Sequence, residues 1–330
     1  MELAKYSIVI PVYNEEESIP DLVKHLREVI DLLDGPVEVL LVDDGSKDGG
    51  YRLMVAANAQ DPRFKVLRLS RNFGHQVAIT AGMDYASGQA VVVMDADLQD
   101  PPMVILQMAK RWQEGYEVVY AVRQRREGET FGKKATARLY YGLLRKLADV
   151  DQQVDVGDFR LADRKAVDAF LRMRERDRYV RGMFCWIGFS QIAVPYIRES
   201  RRAGRSKYRL AKMLKLASDG IIGFSNAPLR LGITAGLVMA VAALGYGLAA
   251  IGLKLAGLPN VPGYASLLVT ITFLSGVQLI VVGIIGQYLA RVFDEVRGRP
   301  LYLVRESLGL RSAGLPSHDH GERVPEKPSA

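Results

Sequence analysis

The sequence contains little cysteine and no recognisable leader segment. Its one cysteine, Cys185, has no second cysteine with which to form an intramolecular disulfide. A disulfide-stapled secreted fold is therefore excluded, and a reducing compartment is favoured. The N-terminal stretch MELAKYSIVIPVYNEEE has no apolar run followed by a cleavage site, so we predict no signal peptide.

Two common nucleotide-binding motifs are also missing. The dinucleotide fingerprint G-x-G-x-x-G should directly follow the first strand, where this chain has Pro11, Tyr13 and Asn14 instead. The phosphate loop G-x-x-x-x-G-K-[ST] does not occur in the sequence. These absences argue against nicotinamide-dependent oxidoreductases and P-loop nucleotide hydrolases.

Charge is absent from two long stretches of the C-terminal half. Residues 231–253 are 23 consecutive uncharged residues, and residues 264–290 are another 27. The mean hydropathy of all 330 residues is only +0.04, because these stretches are averaged with a charged remainder. A helix of about 20 apolar residues is long enough to cross a bilayer. We therefore predict a two-helix transmembrane hairpin over residues 230–291.

Short β-branched runs alternate with helical patterns ahead of this hairpin. The first two runs are YSIVIPV and VEVLLV, and residues 19–33 between them carry apolar side chains at helical spacing. The alternation continues to about residue 122. It predicts an α/β fold with a mostly parallel sheet that is covered on both faces. Ligands of such sheets bind at the carboxyl ends of the strands.

Positive charge concentrates next to the predicted hairpin. Lysine and arginine number 44 against 37 acidic residues, a net charge of +7, and residues 201–215 hold seven basic residues and no acid. Apolar residues at helical spacing follow the densest charge, so we predict an amphipathic segment at the membrane surface over residues 201–229. Its charge either sets topology alone or also binds an anion. Basic stripes with interleaved aromatic residues are absent, which argues against nucleic acid as a partner.

These patterns divide the chain into four predicted regions. Residues 1–200 form a cytosolic catalytic domain, and residues 201–229 form the basic interfacial segment. Residues 230–291 form the hairpin, and residues 292–330 form a cytosolic segment whose polar, proline-containing end we expect to be disordered. Basic residues flank both ends of the hairpin, so both ends should be cytoplasmic.

A pair of acids follows the predicted strand AVVVM. Asp95 and Asp97 are separated by Ala96, and Gln99 comes two residues later. Two carboxylates at a strand end can lie close together, and oxygen ligands suit a hard cation such as Mg²⁺ or Mn²⁺. The alternative is two ordinary loop acids ahead of a helix that Asp100 begins.

The chain also resembles a known family through six motifs that occur in order. They are IVIPVYNEEESI, VDDGSKDGG, LSRNFGHQVAITAGMDYASG, VVVMDADLQDPP, GDFRLADR and RRAGRSKY, followed by the two apolar stretches. The series resembles the polyisoprenyl-phosphate glycosyltransferases of glycosyltransferase family 2, relatives of dolichol-phosphate mannose synthase. It looks most similar to bacterial undecaprenyl-phosphate sugar transferases with a C-terminal membrane hairpin. The resemblance implies a Rossmann-like GT-A catalytic domain, interfacial amphipathic helices and two transmembrane helices.

This resemblance implies a site for a nucleotide sugar and a divalent cation. The residues it assigns to the nucleotide sugar are Pro11, Tyr13, Glu15, Val42, Asp44, Asp95, Ala96 and Arg123. The metal and diphosphate site would be Asp95, Asp97 and Gln99, with Asp97 catalytic through direct ligation. Two simpler interpretations stay open: Glu15 at a helix N-terminus, where acids are favourable, and Asp44 in an ordinary D-G turn.

The resemblance also implies a site for the phosphate of a lipid acceptor. Its residues would be Arg123, Arg201, Ser206 and Lys207, and arginine offers phosphate a bidentate fork. Asp158 is the remaining acid that the motifs single out, as a catalytic residue. A structural Asp158 paired with Arg160 or Arg164 is the alternative.

The resulting prediction is an inverting transfer of a monosaccharide from a nucleotide sugar, such as UDP-glucose, to polyprenyl phosphate. The expected location is the cytoplasmic face of a bacterial inner membrane, and the expected assembly is a homo-oligomer. A processive polysaccharide synthase is a competing prediction, although its Q-x-x-R-W motif is matched only by QMAKRW at residues 107–112, which is one residue too long. A non-catalytic membrane scaffold that retains the fold is another.

Overall fold

The computed structural model describes residues 4–123, 156–197, 227–256 and 263–310. The chain forms two compact units, one of Met1–Leu98 with Tyr302–Ala330 and one of Gln99–Leu301. We call them the first and the second unit. The predicted region boundaries at residues 200, 229 and 291 stay predictions.

Strands and helices alternate along the described chain. In chain order they are β1 (Tyr6–Val12), α1 (Ile19–Ile30), β2 (Val37–Asp43), α2 (Gly50–Gln60), β3 (Phe64–Leu69), α3 (His75–Tyr85), β4 (Ala90–Val93), α4 (Val104–Gln113), β5 (Val118–Arg123), β6 (Val156–Asp163), α5 (Arg164–Arg172), α6 (Val180–Trp186), β7 (Gln191–Tyr196), α7 (Ala227–Leu255), α8 (Tyr264–Val296) and β8 (Val304–Leu308).

Parallel strands make up the centre of the first unit. Its strands run in the order β4-β1-β2-β3-β8, and β1 to β4 are all parallel. Every residue of β1, β2 and β4 is buried, which is why these strands read as continuous apolar runs rather than as alternating ones. The predicted α/β fold with a mostly parallel sheet is confirmed.

The helices of the first unit cover this sheet through apolar faces. In α1 the buried residues recur at helical spacing, and they are Ile19, Leu22, Val23, Leu26, Val29 and Ile30. Helix α3 packs on β1 and β2 and comes unusually close at Gly82. A Cβ atom there would lie 2.2 Å from Cγ1 of Val9 and 3.0 Å from Cγ2 of Val42. Glycine is therefore required for the contact between this helix and the sheet.

The C-terminal strand β8 also belongs to the first unit. It pairs antiparallel with β3, at the edge opposite β4. Residues 292–330 were predicted only as a cytosolic segment, so this strand was missed. The expected disordered end, from residue 312, lies outside the described residues.

The second unit contains a smaller group of strands and the two long helices. Strand β5 pairs antiparallel with β6 and parallel with β7, and α4, α5 and α6 pack near them. Helices α7 and α8 contain Gly232–Ala249 and Val269–Val296, which are long and apolar enough to cross a membrane. Most of their described apolar side chains are exposed. Most of the predicted basic segment, residues 201–226, lies outside the described residues.

The last turns of α8 carry charges that contact the loop between α5 and α6. Arg291 pairs with Asp177, with Nε 3.2 Å from Oδ2. The carboxylate of Glu295 accepts a hydrogen bond from the backbone N–H of Arg176 at 2.6 Å. The last turns of α8 therefore contact protein groups of the second unit.

A buried glutamate ties the amino-terminal ends of several strands together. Glu38 accepts hydrogen bonds from the hydroxyls of Ser7 and Ser87, from the backbone N–H of Ser87, and from Lys65. Burial opposes ionisation of this carboxyl, but the Lys65 ammonium and the other donors outweigh burial and lower its pKa below the ordinary 4.5. Because folding lowers the pKa of Glu38, its ionised carboxylate stabilises the folded state. This stabilisation is fully present above the ordinary pKa of 4.5.

We therefore predict that Glu38→Gln is destabilising mainly at neutral pH. Below pH 4.5 the wild-type carboxyl begins to protonate, and its contribution is lost as the pH falls through the lowered pKa of the folded state. The difference in unfolding free energy between the two proteins should accordingly shrink from pH 7 to pH 3. Urea unfolding of the detergent-solubilised chain measures it, with the exposed Glu28→Gln as the control. A pH-independent difference would contradict this account.

A second prediction concerns the close approach at Gly82. Gly82→Val places side-chain atoms inside the contact with Val9 and should cost about 2 kcal/mol of stability. This corresponds to a loss of about 4–8 °C in the thermal unfolding midpoint. Ala56→Val adds the same side chain at an exposed position of α2 and is the matched control. Equal midpoints for the two variants would show that the glycine is dispensable.

Candidate active site

A cleft lies at the carboxyl ends of β1, β2 and β3 in the first unit. Its volume is about 410 Å³. Four cations, one aromatic ring and small polar residues line it, namely Tyr13, Gly45, Ser46, Lys47, Arg68, Leu69, Ser70, Arg71, Asn72 and Arg305. None of these lining residues carries a carboxylate, so the cleft suits an anionic ligand. Tyr13, which is 44% exposed, offers its ring to the planar part of such a ligand.

The loops after β1 and β2 hold each other at the rim of this cleft. Asn14 adopts a left-handed conformation with φ of 54°, and its side-chain oxygen accepts from the backbone N–H of Lys47 at 2.8 Å. Its own N–H donates to the hydroxyl of Ser46 at 3.1 Å. Asparagine tolerates this backbone conformation better than most residues do. These bonds fix the loop that carries Tyr13.

Asp44 joins the loop after β2 to the loop after β3. Its carboxylate is buried and accepts hydrogen bonds from the backbone N–H groups of Phe73 at 2.7 Å and Gly74 at 3.0 Å. Burial raises its pKa, although these two hydrogen bonds act in the opposite direction. Asp44 was predicted as a nucleotide contact or a turn residue, and the structure gives it a role in loop fixation.

Gly45 allows the same two loops to meet. Its φ is +71°, and a Cβ atom would lie 2.5 Å from the carbonyl carbon of Arg71 and 2.6 Å from the backbone nitrogen of Asn72. Only glycine accepts both the left-handed backbone and the short distance. The D-G pair in VDDGSKDGG therefore reflects contact between loops as well as a turn.

The resemblance assigns Pro11, Tyr13, Glu15, Val42 and Asp44 to the base and ribose of the nucleotide. Several members of this set occupy other positions. Pro11 and Val42 are register partners near the ends of β1 and β2, and both are buried. Glu15 accepts a hydrogen bond from the hydroxyl of Ser18 at 3.1 Å, next to the beginning of α1. This contact matches the helix-terminus interpretation of Glu15. Of the five predicted residues, Tyr13 lines the cleft.

Sequence reasoning missed the acid that orients a cation of the cleft. Asp43 is buried, and Nε of Arg68 lies 3.1 Å from its Oδ2 atom. The guanidinium of Arg68 also lies over the ring of Tyr51, 4.0 Å from its centroid. Arg71 is held in a similar way, 4.0 Å over the ring of Phe73. Arg68 is therefore held by Asp43 and an aromatic ring, and Arg71 by an aromatic ring.

The two predicted metal ligands of the first unit follow β4. Asp95 and Asp97 are partly exposed, and Nε2 of His75, the first residue of α3, lies 3.4 Å from Oδ1 of Asp95. Leu98 then has a positive φ of 54°, a conformation that is uncommon for leucine and that marks a constrained turn. Ala96 is buried, and Gln99, a buried residue, begins the second unit.

The donor chemistry of Asp95 and Asp97 fits a hard divalent cation. Both side chains are accessible carboxylates separated by one residue at a strand end, and carboxylate oxygens are the ligands that Mg²⁺ and Mn²⁺ prefer. No group of three or more histidine, cysteine, aspartate or glutamate side chains able to hold a metal occurs in the described part of the chain. The predicted ligands Asp95, Asp97 and Gln99 include only two acids, so they would not form a group of three such side chains.

Strand pairing in the second unit brings Arg123 and Asp158 to one edge. Arg123 ends β5, and its register partner Tyr196 ends the parallel strand β7. Strand β6 runs the other way, so Asp158 near its beginning lies at the same edge. A Cβ atom on the neighbouring Gly157 would lie 3.6 Å from Nη2 of Arg123.

Asp158 is held by an arginine that the sequence analysis did not single out. It is buried, and Arg181 of α6 donates to both of its oxygens, from Nε at 2.9 Å and from Nη2 at 3.1 Å. Arg160 lies at 4.0 Å and donates to the backbone carbonyls of Gly157 and Asp158. Asp158 therefore pairs chiefly with Arg181, rather than with Arg160 or Arg164.

Arg123 is held by a chain of hydrogen bonds that was also missed. Its Nε donates to the hydroxyl of Tyr196 at 3.2 Å, and that hydroxyl donates to the buried carboxylate of Asp100. Burial and this bond to Asp100 raise the pKa of Tyr196 to about 12. Burial disfavours the charge of Arg123, but the Tyr196 and Asp100 contacts outweigh it and raise the pKa of Arg123. Arg123 thus keeps its charge in a half-buried position.

The QMAKRW string has a structural explanation. Trp112 donates its indole N–H to Asp163 at 2.8 Å, and Asp163 also accepts from the backbone N–H of Lys165 at the beginning of α5. Trp112 thus stabilises the beginning of α5, a structural role that does not depend on the Q-x-x-R-W motif. Of the predicted acceptor residues, Arg201, Ser206 and Lys207 lie outside the described residues.

Comparison with known proteins identifies the family. A family model described as "Glycosyl transferase family 2" matches residues 7–171. The chain is 49% identical over 316 residues to an uncharacterized glycosyltransferase of Bacillus subtilis, YkcC, covering 96% of this chain and 98% of that protein. It is 41% identical over 303 residues to the SfII prophage-derived bactoprenol glucosyl transferase of Shigella flexneri, covering 92% and 98%.

One of the similar solved structures is a chain from Mycobacterium tuberculosis. It is glucosyl-3-phosphoglycerate synthase in complex with Mn²⁺, UDP and glucosyl-3-phosphoglycerate, with a TM-score of 0.43 and 21% identity, covering 66% of this chain and 77% of that chain. The family match and the two sequence relatives confirm the resemblance that the six motifs indicated. This chain belongs to glycosyl transferase family 2 and is a glycosyltransferase.

Proposed function

We propose that this chain transfers a glucosyl unit from UDP-glucose to undecaprenyl phosphate or a similar polyprenyl phosphate. The observation that carries the proposal is the cationic cleft with Tyr13, at the same sheet edge of the first unit as Asp95 and Asp97. The choice of acceptor and sugar is supported by the bactoprenol glucosyl transferases, of which the Shigella flexneri protein aligns with 92% of this chain.

Donor binding would use the cleft and the acid pair together. A nucleoside diphosphate offers a planar base for Tyr13 and negative charge for the cations of the cleft. We assign a divalent cation to Asp95 and Asp97, where it would neutralise charge on the departing diphosphate when bound. His75, 3.4 Å from Asp95, would help to orient that carboxylate.

Acceptor binding would use the arginines of the second unit. Tyr196 engages Nε of Arg123, so the two terminal nitrogens of this guanidinium are the donors presented to a phosphate. Arg181 is near enough for its charge to act against the net rise in the pKa of Arg123. An anion bound by both groups would relieve this repulsion. Arg201, Ser206 and Lys207 would complete the site.

The proposed reaction is a single inverting displacement. A lipid phosphate oxygen attacks the anomeric carbon, a new C–O bond forms, and the bond to the nucleoside diphosphate breaks. A phosphate monoester is largely dianionic at neutral pH because its second pKa is near 6, so little help from a base is needed. Asp158, with both oxygens bound by Arg181, would therefore position that arginine rather than remove a proton.

The two apolar helices would place this reaction at a membrane. Helices α7 and α8 satisfy the length and composition of spans, and a polyprenyl phosphate presents its phosphate at the headgroup level. Basic residues before and after the hairpin favour a cytoplasmic catalytic region, where nucleotide sugars are available. A bacterial inner-membrane location follows from this topology, and a homo-oligomeric assembly stays a prediction.

Asp97→Asn tests the assigned cation site. We expect sugar transfer to undecaprenyl phosphate to fall roughly 100-fold or more, because a neutral amide stabilises less of the charge that develops on the leaving group. Transfer is measured with radiolabelled UDP-glucose and a panel of other nucleotide sugars, with the exposed Asp21→Asn as the control. Manganese-dependent protection by UDP against thermal unfolding should also be lost.

Three outcomes would contradict the proposed function. Near wild-type turnover of Asp97→Asn would remove the cation assignment. A water-soluble polymer instead of a lipid-linked monosaccharide would indicate a processive synthase. Failure of both UDP and GDP to stabilise the wild-type protein would favour a non-catalytic scaffold.

Tyr196→Phe tests the support of Arg123. The substitution removes the hydroxyl between Arg123 and Asp100, so we expect a several-fold higher KM for polyprenyl phosphate with a smaller effect on kcat. Loss of the buried hydrogen bonds should also cost about 1–3 kcal/mol of stability. Tyr116→Phe, at a partly buried position of the same unit, is the matched control. An unchanged KM for the lipid would show that Tyr196 has only a structural role.

A further inference from the structure

The strand that follows the second apolar helix is firmly attached to the donor-binding unit. The carbonyl of Leu303 accepts from the backbone N–H of Ser70 at 2.8 Å, and Ser70 lines the cleft. The buried Tyr302 donates its hydroxyl to Asp84 of α3 at 2.8 Å. These contacts place β8 beside the cleft and hold it there.

The pairing of β8 with β3 is irregular at Arg305. Along β3 the residues Arg68 and Leu69 are consecutive, but their partners in β8 are Glu306 and Val304. Arg305 is therefore the extra residue of a β-bulge. Bulges next to functional sites redirect a side chain that regular pairing would place elsewhere. Here the redirected side chain lines the cleft.

The neighbouring acid is directed to other partners. Glu306 accepts a hydrogen bond from Tyr51, and burial of Tyr51 together with this bond raises the pKa of the tyrosine to about 12. The Tyr51 ring lies under the guanidinium of Arg68. Glu306 supports Tyr51 in the wall of the cleft and is not among the lining residues, whereas Arg305 adds a positive charge to the lining.

Strand order places Arg305 far from the acid pair. In the order β4-β1-β2-β3-β8, four inter-strand spacings separate β4, which Asp95 and Asp97 follow, from β8. Neighbouring strands are about 4.8 Å apart, so the two ends of this row are about 19 Å apart. A diphosphate beside Asp95 and Asp97 lies at the opposite end of this row from the strand that carries Arg305. The part of the nucleotide nearest to Arg305 is then the base.

We propose that Arg305 binds the base of the donor nucleotide and contributes to its selection. A guanidinium can only donate hydrogen bonds, so it favours a base that presents a carbonyl oxygen. Both pyrimidines carry an oxygen at C2, but at C4 uracil carries an oxygen where cytosine carries an amino donor, the contrast that separates thymine from cytosine in DNA. We place the guanidinium of Arg305 at this C4 edge. Arg305 should therefore favour UDP over CDP. This inference rests on the proposed nucleotide-sugar donor and adds a residue from the chain that follows the apolar helices.

The test compares UDP and CDP binding in three proteins. Isothermal titration of the full detergent-solubilised chain with MnCl₂ gives both dissociation constants for wild type, Arg305→Ala and Arg52→Ala. Arg52 is an exposed arginine of α2 in the same unit that does not line the cleft, and it controls for loss of charge. Arg305→Gln replaces Arg305→Ala if the alanine variant has a lower thermal midpoint without ligand.

We expect UDP binding of Arg305→Ala to weaken roughly tenfold, with CDP binding changed less than threefold and Arg52→Ala unchanged. Equal weakening of UDP and CDP binding would overturn base selection by Arg305, and so would unchanged UDP binding. Failure of the wild-type protein to bind UDP at all would instead count against the proposed function. The two failures are therefore distinguishable.

Discussion

The cationic cleft of the first unit depends on one buried carboxylate, that of Asp44. Asp44 accepts two backbone hydrogen bonds from the loop that leads into α3, and hydrogen bonds to an ionised group contribute about 1.5–3 kcal/mol each. These bonds hold the loop after β3 against the loop after β2, at the point where Gly45 lets the backbones approach. Lys47 and Arg71 lie on these two joined loops, whereas Arg68 of β3 is held by Asp43 and the ring of Tyr51. Burial of Asp44 disfavours its ionised form, as its raised pKa shows. A cleft that binds anions nevertheless needs its cations held in position before the ligand binds.

The second unit uses opposite charges in a different arrangement. Asp158 and Asp100 are buried, and each serves to orient a cation: Arg181 directly, and Arg123 through Tyr196. The arginines are the more exposed members of these pairs. Removing either acid would leave a misplaced arginine at the same sheet edge, so a loss of activity on substitution of Asp158 is not by itself evidence of acid or base chemistry.

Sequence reasoning succeeded where one physical signal dominated. Short apolar or β-branched runs predicted β1 to β5, most clearly β1, β2 and β4, which are buried on both faces of the parallel sheet, and the uncharged stretches predicted α7 and α8. It failed for β6, β7 and β8, whose sequences VGDFRLAD, QIAVPY and VRESL mix charged, polar and apolar residues. These strands form because a neighbour provides their register. The pairing of Asp158 with Arg181, 23 residues apart, could not be read from spacing either, whereas Arg160 and Arg164 were nearer in sequence.

The position of β8 changes how the chain is understood as a whole. The two apolar helices are not an anchor appended after a finished catalytic domain, since the chain returns after them to add a strand and Arg305 to the first unit. Folding of the first unit is then complete only after both helices have been synthesised. The entropic cost of closing a loop rises only slowly with the length of the intervening chain. Pairing of β3 with β8 across more than 200 residues therefore adds little to that cost. The bulge at Arg305 makes β8 part of the lining of the cleft. The chain that leaves the second apolar helix therefore continues directly into this lining.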